Sequence, residues 1–177
     1  MGDAKWNVAN LDKHMKDEVV PTEMIQFTQS PSKTVIRYEP LGVIAVYGAW
    51  NYPFSLTMQP LIGAISAGNC CIVKPSELSP ATSAVINRLV NQYMDPDCVQ
   101  CCEGGIDVAV HLNNKKTDLI CFTGSTFVGK IVAQAAAKNM IPCIMELGGK
   151  CPTIIDEGVD MSNAVHKIVQ TKFSNSG

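Results

Sequence analysis

The chain has 177 residues, of which 46% are hydrophobic and 17% charged, and a net charge of −2 from 14 basic and 16 acidic residues. That composition excludes a disordered, collagen-like or coiled-coil chain and supplies ample material for a buried core. With no basic stripe to neutralise phosphates, nucleic acid is not an expected partner.

Residues 1–34 are polar and charged, with Pro21 and Pro31 marking extended or turn segments, and read as a peripheral arm or connector. From Val35 onward, short apolar runs alternate with helical patterns. Gly42–Tyr47 is a continuous apolar run, the pattern of a strand covered on both faces. A helix is expected over Phe54–Ala67, closed by Gly68-Asn69. Cys70–Val73 is the next strand, stopped by Lys74-Pro75. Ser79 as N-cap and Pro80 at the first helical position open a helix reaching Tyr93.

Val99–Cys102, Leu119–Phe122, Ile141–Leu147 and Pro152–Ile155 read as further strands. Ile106–Leu112, Val128–Lys138 and Met161–Lys172 read as helices. Strands alternating with crossover helices predict an α/β fold built on a parallel sheet. In such sheets ligands sit beyond the carboxyl ends of the strands.

Between Glu39 and Lys74 the chain carries no charge. A membrane span wants about 20 mostly apolar residues without interruption. Pro53, Pro60, Gly48, Gly63, Asn51 and Asn69 break this stretch, which reads instead as strand, turn, helix, turn and strand, all buried. No membrane segment is expected in this chain.

The eight cysteines include the adjacent pairs Cys70-Cys71 and Cys101-Cys102, set inside apolar runs with no secretory signal before them. Cys98, Cys101 and Cys102 cluster, but no second ligand pair lies at zinc spacing. Buried, reduced cysteines in a cytoplasmic, reducing compartment are the expectation, and no metal.

Four motifs fall at strand ends, each with a functional and a structural reading. Thr123-Gly124-Ser125-Thr126-Phe127-Val128-Gly129-Lys130 nearly fits a phosphate loop, but Ile131 replaces the hydroxyl that would bind Mg²⁺. It also lacks the central glycine of a dinucleotide fingerprint, since Thr126 stands there. An anion site at a helix N-terminus and tight packing without a ligand both remain open. Lys74-Pro75-Ser76-Glu77 places a cation and a carboxylate three residues apart, able to grip ribose hydroxyls or to form a solvated turn. A carboxylate there disfavours a 2′-phosphate.

In Gly48-Ala49-Trp50-Asn51-Tyr52-Pro53-Phe54, the Asn51 amide can donate to a developing oxyanion or cap the following helix. Glu146, at the end of an apolar strand and followed by Leu147-Gly148-Gly149-Lys150, is either a general base or the partner of Lys150 in a salt bridge.

In order and spacing, PLGVIAVYGAWNYPF, KPSE, FTGSTFVGK, MELGGK and KFSNSG together resemble the aldehyde dehydrogenase superfamily. The run QPLIGAISAGNCCIVKPSELSP is most similar to its class 3 branch, which includes fatty aldehyde dehydrogenases. The resemblance is dense over residues 35–177. It implies a parallel-sheet dinucleotide-binding domain over 35–145, preceded by the arm 1–34 and followed by the start of a second α/β catalytic domain over 146–177.

The resemblance further implies oxidation of an aldehyde substrate to a carboxylic acid with NAD, or alternatively NADP, by a homo-oligomer. By motif, Asn51 is the oxyanion donor and Glu146 the general base. Lys74 and Glu77 hold the adenosine ribose, Gly124 and Ser125 face the pyrophosphate, and the Leu147-Gly148 backbone lines the nicotinamide pocket. In the family the nucleophilic cysteine follows a stretch like NSG, which places it a few residues beyond Gly177. None of the cysteines present sits in that motif. The chain is therefore expected to be incomplete for catalysis; the alternative is a non-catalytic nucleotide-binding remnant or a partner of full-length homologues.

Overall fold

The computed structural model describes residues 2–21 and 32–176, and it opens with a helix that the polar arm does not advertise. Helix α1 spans Gly2–His14 and has no buried residue. It is held by local bonds, with the amides of Asn7 and Asn10 donating to the carbonyls of Asp3 and Trp6 at 2.9 and 2.8 Å. Asp3 accepts from Gln59 at 2.8 Å. The arm also carries a strand, β1 (Glu18–Val20), paired antiparallel with β2 (Thr34–Ile36). Arg37 clamps the start of this ribbon, donating from Nε and Nη2 to the two Asp17 carboxylate oxygens at 3.0 and 2.8 Å. The peripheral arm expected over residues 1–34 thus carries a helix and a strand that its polar sequence did not predict; Pro31 lies outside the described residues.

The apolar run after Gly42 forms β3 (Val43–Tyr47), the centre of the main sheet. It is followed by α2 (Ser55–Ser66), β4 (Cys70–Lys74), α3 (Pro80–Tyr93), β5 (Val99–Cys101) and α4 (Ile106–Asn113). Then come β6 (Leu119–Gly124), α5 (Thr126–Ala137) and β7 (Cys143–Leu147). The five strands lie in the order β5-β4-β3-β6-β7, and every pairing is parallel. From β3 the chain moves outward to β4 and β5, then returns to place β6 on the other side of β3. The boundary between β3 and β6 is therefore the topological switch point of a doubly wound sheet.

Strand alternation sends Ile44 and Val46 of β3 to one face and Ala45 and Tyr47 to the other. On the first face they meet Leu61 of α2 and Ile86 and Val90 of α3. On the second they meet Leu112 of α4 and Val132 and Ala136 of α5. Each buried Leu, Ile or Val side chain contributes about 1.5–3 kcal/mol. The Tyr47 hydroxyl donates to Asn113 Oδ1 at 2.7 Å, which satisfies both groups where α4 crosses the sheet.

Helix α2 closes as expected. Gly68 adopts φ +80°, and Asn69 returns its side-chain amide to the Ala64 carbonyl at 3.1 Å. The start of β3 is tied down by Asn69 and Asp118, which accept from the Gly42 and Val43 N–H groups at 3.0 and 2.8 Å. Among the described residues, no helix is long and apolar enough to cross a membrane.

The chain divides into two compact units, Met1–Leu147 and Gly148–Gly177. The second holds α6 (Met161–Lys172), capped by Asp160, whose carboxylate accepts from Ser162 and Asn163 N–H. The strand expected over Pro152–Ile155 is not formed. Its apolar residues have no neighbouring strand within this unit to bond with, and a strand is stable only through its ladder.

Candidate active site

All the strand-end motifs of the first unit project from one edge of the sheet. Register places Tyr47 beside both Lys74 and Phe122, and Gly124 beside Leu147. Shared bonds lock the first two loops together. Gly48 N–H donates to the Lys74 carbonyl at 3.0 Å, and Ser79 Oγ donates to the Trp50 carbonyl at 3.1 Å. The second bond corrects the side-chain cap expected of Ser79: the residue occupies the cap position of α3 but spends its hydroxyl on the neighbouring loop.

Lys74 is only 5% exposed, and Pro75 and Ser76 are buried with it, while Glu77 and Leu78 are exposed. The Lys74 ammonium donates to Glu77 Oε2 at 2.9 Å and to the Pro75 carbonyl at 3.2 Å. Burial pushes the Glu77 carboxyl upward. The Lys74 hydrogen bond, a backbone hydrogen bond and the ammonium charge together outweigh it and leave the pKa below the ordinary carboxylate range. Glu77 itself stays open to solvent, with 41% of its side chain exposed. A buried cation thus presents a partly free carboxylate at the strand end.

Across the switch point, Ser125 caps α5: its Oγ accepts from Val128 N–H at 3.2 Å. The glycines of this loop are set by packing. A Cβ on Gly124 would lie 2.7 Å from the Phe122 ring, and one on Gly129 would lie 2.6 Å from Leu147. Close packing and a helix N-terminus open to an anion therefore coexist here.

Asn51 does not cap the following helix. The cap position belongs to Phe54, with no side-chain hydrogen bond, and Asn51 is exposed within a loop whose Trp50 is 62% exposed. That loop also corrects the expectation of an entirely buried Glu39–Lys74 stretch. Tyr52 and Phe54 are exposed as well.

Glu146 stands on β7, which is an edge strand, and it is exposed rather than set in an apolar burial. Within its own unit it forms no ion pair among the described residues, and Lys150 belongs to the second unit. Glu146 and Thr123 lie at one end of a groove of about 440 Å³ between α2 and the β6–β7 face, with Ile144, Cys121 and Ala64 among its walls. Leu147 ends β7, and Gly148, also exposed, opens the second unit.

Sequence reasoning passed over Glu103. Just beyond β5, its carboxylate accepts from Ser83 Oγ and Asn87 Nδ2 of α3, both at 2.7 Å. A carboxylate before Gly104-Gly105 at a strand end was the available signal. Among the described residues, no group of His, Cys, Asp or Glu could hold a metal ion.

The strand order and the switch point define a Rossmann-like α/β protein. The model of the aldehyde dehydrogenase family matches residues 4–177, and the chain belongs to that family. It is 49% identical over 142 residues to a rat protein, aldehyde dehydrogenase family 3 member A2, a match covering 80% of this chain and 29% of the relative. The solved substrate-bound state of Staphylococcus aureus AldH superposes with a TM-score of 0.93 at 40% identity, covering 100% of this chain and 39% of that one. Mycobacterium tuberculosis aldehyde dehydrogenase complexed with NAD+ gives a TM-score of 0.84 at 29% identity, covering 99% of this chain and 35% of that one. The chain thus spans well under half the length of these relatives.

Proposed function

We propose that this chain is the dinucleotide-binding part of an aldehyde dehydrogenase, and that the whole protein oxidises aldehydes to carboxylic acids as a homo-oligomer. The observation that carries the reading is the buried Lys74 ammonium holding Glu77 at the strand-end edge. Ammonium donates and carboxylate accepts, so the pair matches adjacent ribose hydroxyls. The N-terminus of α5 suits a pyrophosphate. These donors fit a nicotinamide dinucleotide, with Lys74 and Glu77 on the adenosine ribose, Gly124 and Ser125 beside the pyrophosphate, and Leu147 and Gly148 toward the nicotinamide. NAD is the preferred form, because the Glu77 charge repels a 2′-phosphate. The bound cofactor supplies the hydride acceptor.

Asn51 donates its amide N–H to the oxyanion that develops on the aldehyde oxygen, and its exposed position leaves that donor free to turn toward substrate. Glu146 takes a proton from the water that releases the acid. Attack on the aldehyde needs a thiolate, and the sheet's own thiols are poor sources. Burial, with a smaller push from neighbouring groups, raises Cys71 to about 11 and Cys101 to about 12, and burial raises Cys121 and Cys143 as well. The nucleophile is therefore assigned outside these four residues.

Titration calorimetry tests the binding half. NAD and ADP-ribose should bind with similar affinity, and Lys74→Met, which keeps the buried stem, should weaken both by about 10-fold or more, as loss of a charged hydrogen bond does. Absence of heat with either ligand from a folded sample overturns the proposal.

A further inference from the structure

Cysteine placement departs from the expectation of a wholly buried set. All eight are free thiols, and Cys98 and Cys151 are exposed. Cys98 ends the turn before β5 and Cys70 opens β4. The parallel register pairs Cys71 with Val99, so one step earlier Cys70 and Cys98 stand opposite each other at the mouth of the ladder. The Cys71 N–H donates to the Cys98 carbonyl at 2.8 Å, which holds the two backbones together at that point.

Cys71 and Val73 of β4 pack with Val99 and Cys101 of β5 in the cluster against α2 and α3, so Cys70, the first residue of β4, alternates to the opposite face, and Cys98 sits in the turn that leads into Val99. Neighbouring strands lie about 4.8 Å apart, inside the roughly 4.4–6.8 Å range of Cα separations that a disulfide spans. The charge of Asp95, some burial, the adjacent Cys70 thiol and Asp97 together raise the pKa of Cys98.

We infer that Cys70 and Cys98 form an oxidative modification site that closes to an intramolecular disulfide under a peroxide. Cys98 loses its proton to solvent and its sulfur attacks the peroxide O–O bond, which breaks with loss of hydroxide and leaves a sulfenic acid; the raised pKa slows this step, and exposure is what selects Cys98 over the buried thiols. The Cys70 sulfur then attacks the Cys98 sulfur; the S–O bond breaks and the S–S bond forms. Two thiols are oxidised, and one hydrogen peroxide is reduced to two waters. The neighbouring cysteines do not compete. Cys71 is buried on the other face, and Cys121 and Cys143 occupy adjacent register positions and so point to opposite faces. The link lies at the end of the ladder opposite Lys74 and closes the segment that contains Lys74, Glu77 and α3.

Hydrogen peroxide treatment of the purified chain, read by intact mass and non-reducing peptide mapping, tests the pairing. The expected result is a loss of about 2 Da and a cross-link between the peptides containing Cys70 and Cys98, with Tm raised by roughly 5–10 °C. Cys98→Ser and Cys70→Ser should each abolish that cross-link. Cys71→Ala, Cys101→Ala and Cys102→Ala should preserve it. A chain that stays fully reduced, a cross-link that survives in Cys98→Ser, or the same mixture of pairings with and without urea overturns the inference. Cys98 is exposed, so Cys98→Ser does not depend on repacking a core.

Discussion

At the scale of single residues, the site rests on the buried cation and its half-exposed partner. Lys74 avoids the cost of an unpaired buried charge because Glu77, three residues on, pairs with it and the Pro75 carbonyl accepts a second hydrogen bond. The spacing was legible in KPSE, but the burial was not, because it arises where Tyr47 and the loop after β3 close over the strand end. The lowered Glu77 pKa has a definite sign. A carboxyl whose folded pKa lies below its unfolded value adds stability above the ordinary carboxylate range, and that stability is lost as pH falls through the folded pKa. Melting temperatures against pH should therefore show Glu77→Gln less stable than the parent at neutral pH, with the gap closing below about pH 4. A gap of unchanged size at pH 3 would show that the carboxylate's charge contributes nothing.

Elements decide how these residues are presented. Helix α5 begins where β6 ends, and its cap uses the hydroxyl that resemblance assigns to the cofactor. Two substitutions separate the roles. Ser125→Asn and Ser125→Asp both preserve capping, so both should stay within about 0.5 kcal/mol of the parent by denaturant unfolding. Only Ser125→Asp sets a negative charge against a pyrophosphate, and it should weaken NAD binding by about 10-fold while Ser125→Asn does not. Equal binding by the two variants would place the pyrophosphate elsewhere. Strand β7 teaches the reverse lesson. Its apolar sequence suggested burial around Glu146, whereas its place at the edge of the sheet leaves that carboxylate exposed.

Over the whole molecule, the strand-end motifs lie at one edge of the sheet, while burial raises the pKa of Cys71, Cys101, Cys121 and Cys143 within it. The purified chain should therefore bind dinucleotide yet give no steady NADH production with a medium-chain aldehyde, followed spectrophotometrically; sustained turnover would show that one of these cysteines acts as nucleophile. By itself the sequence determined the parallel α/β order, most element bounds and the strand-end motifs, because a strand covered on both faces must be apolar throughout and helices must follow a 3.6-residue period. Helix α1 escaped it for the same reason, having no buried stripe to impose a period. Tertiary structure alone decided which strands lie at the edges, that Pro152–Ile155 forms no strand, that Lys74 is buried while Glu146 is exposed, and that the Cys71 N–H meets the Cys98 carbonyl. Each of those outcomes depends on which segments become neighbours, and strand pairing joins residues whose proximity no local pattern encodes.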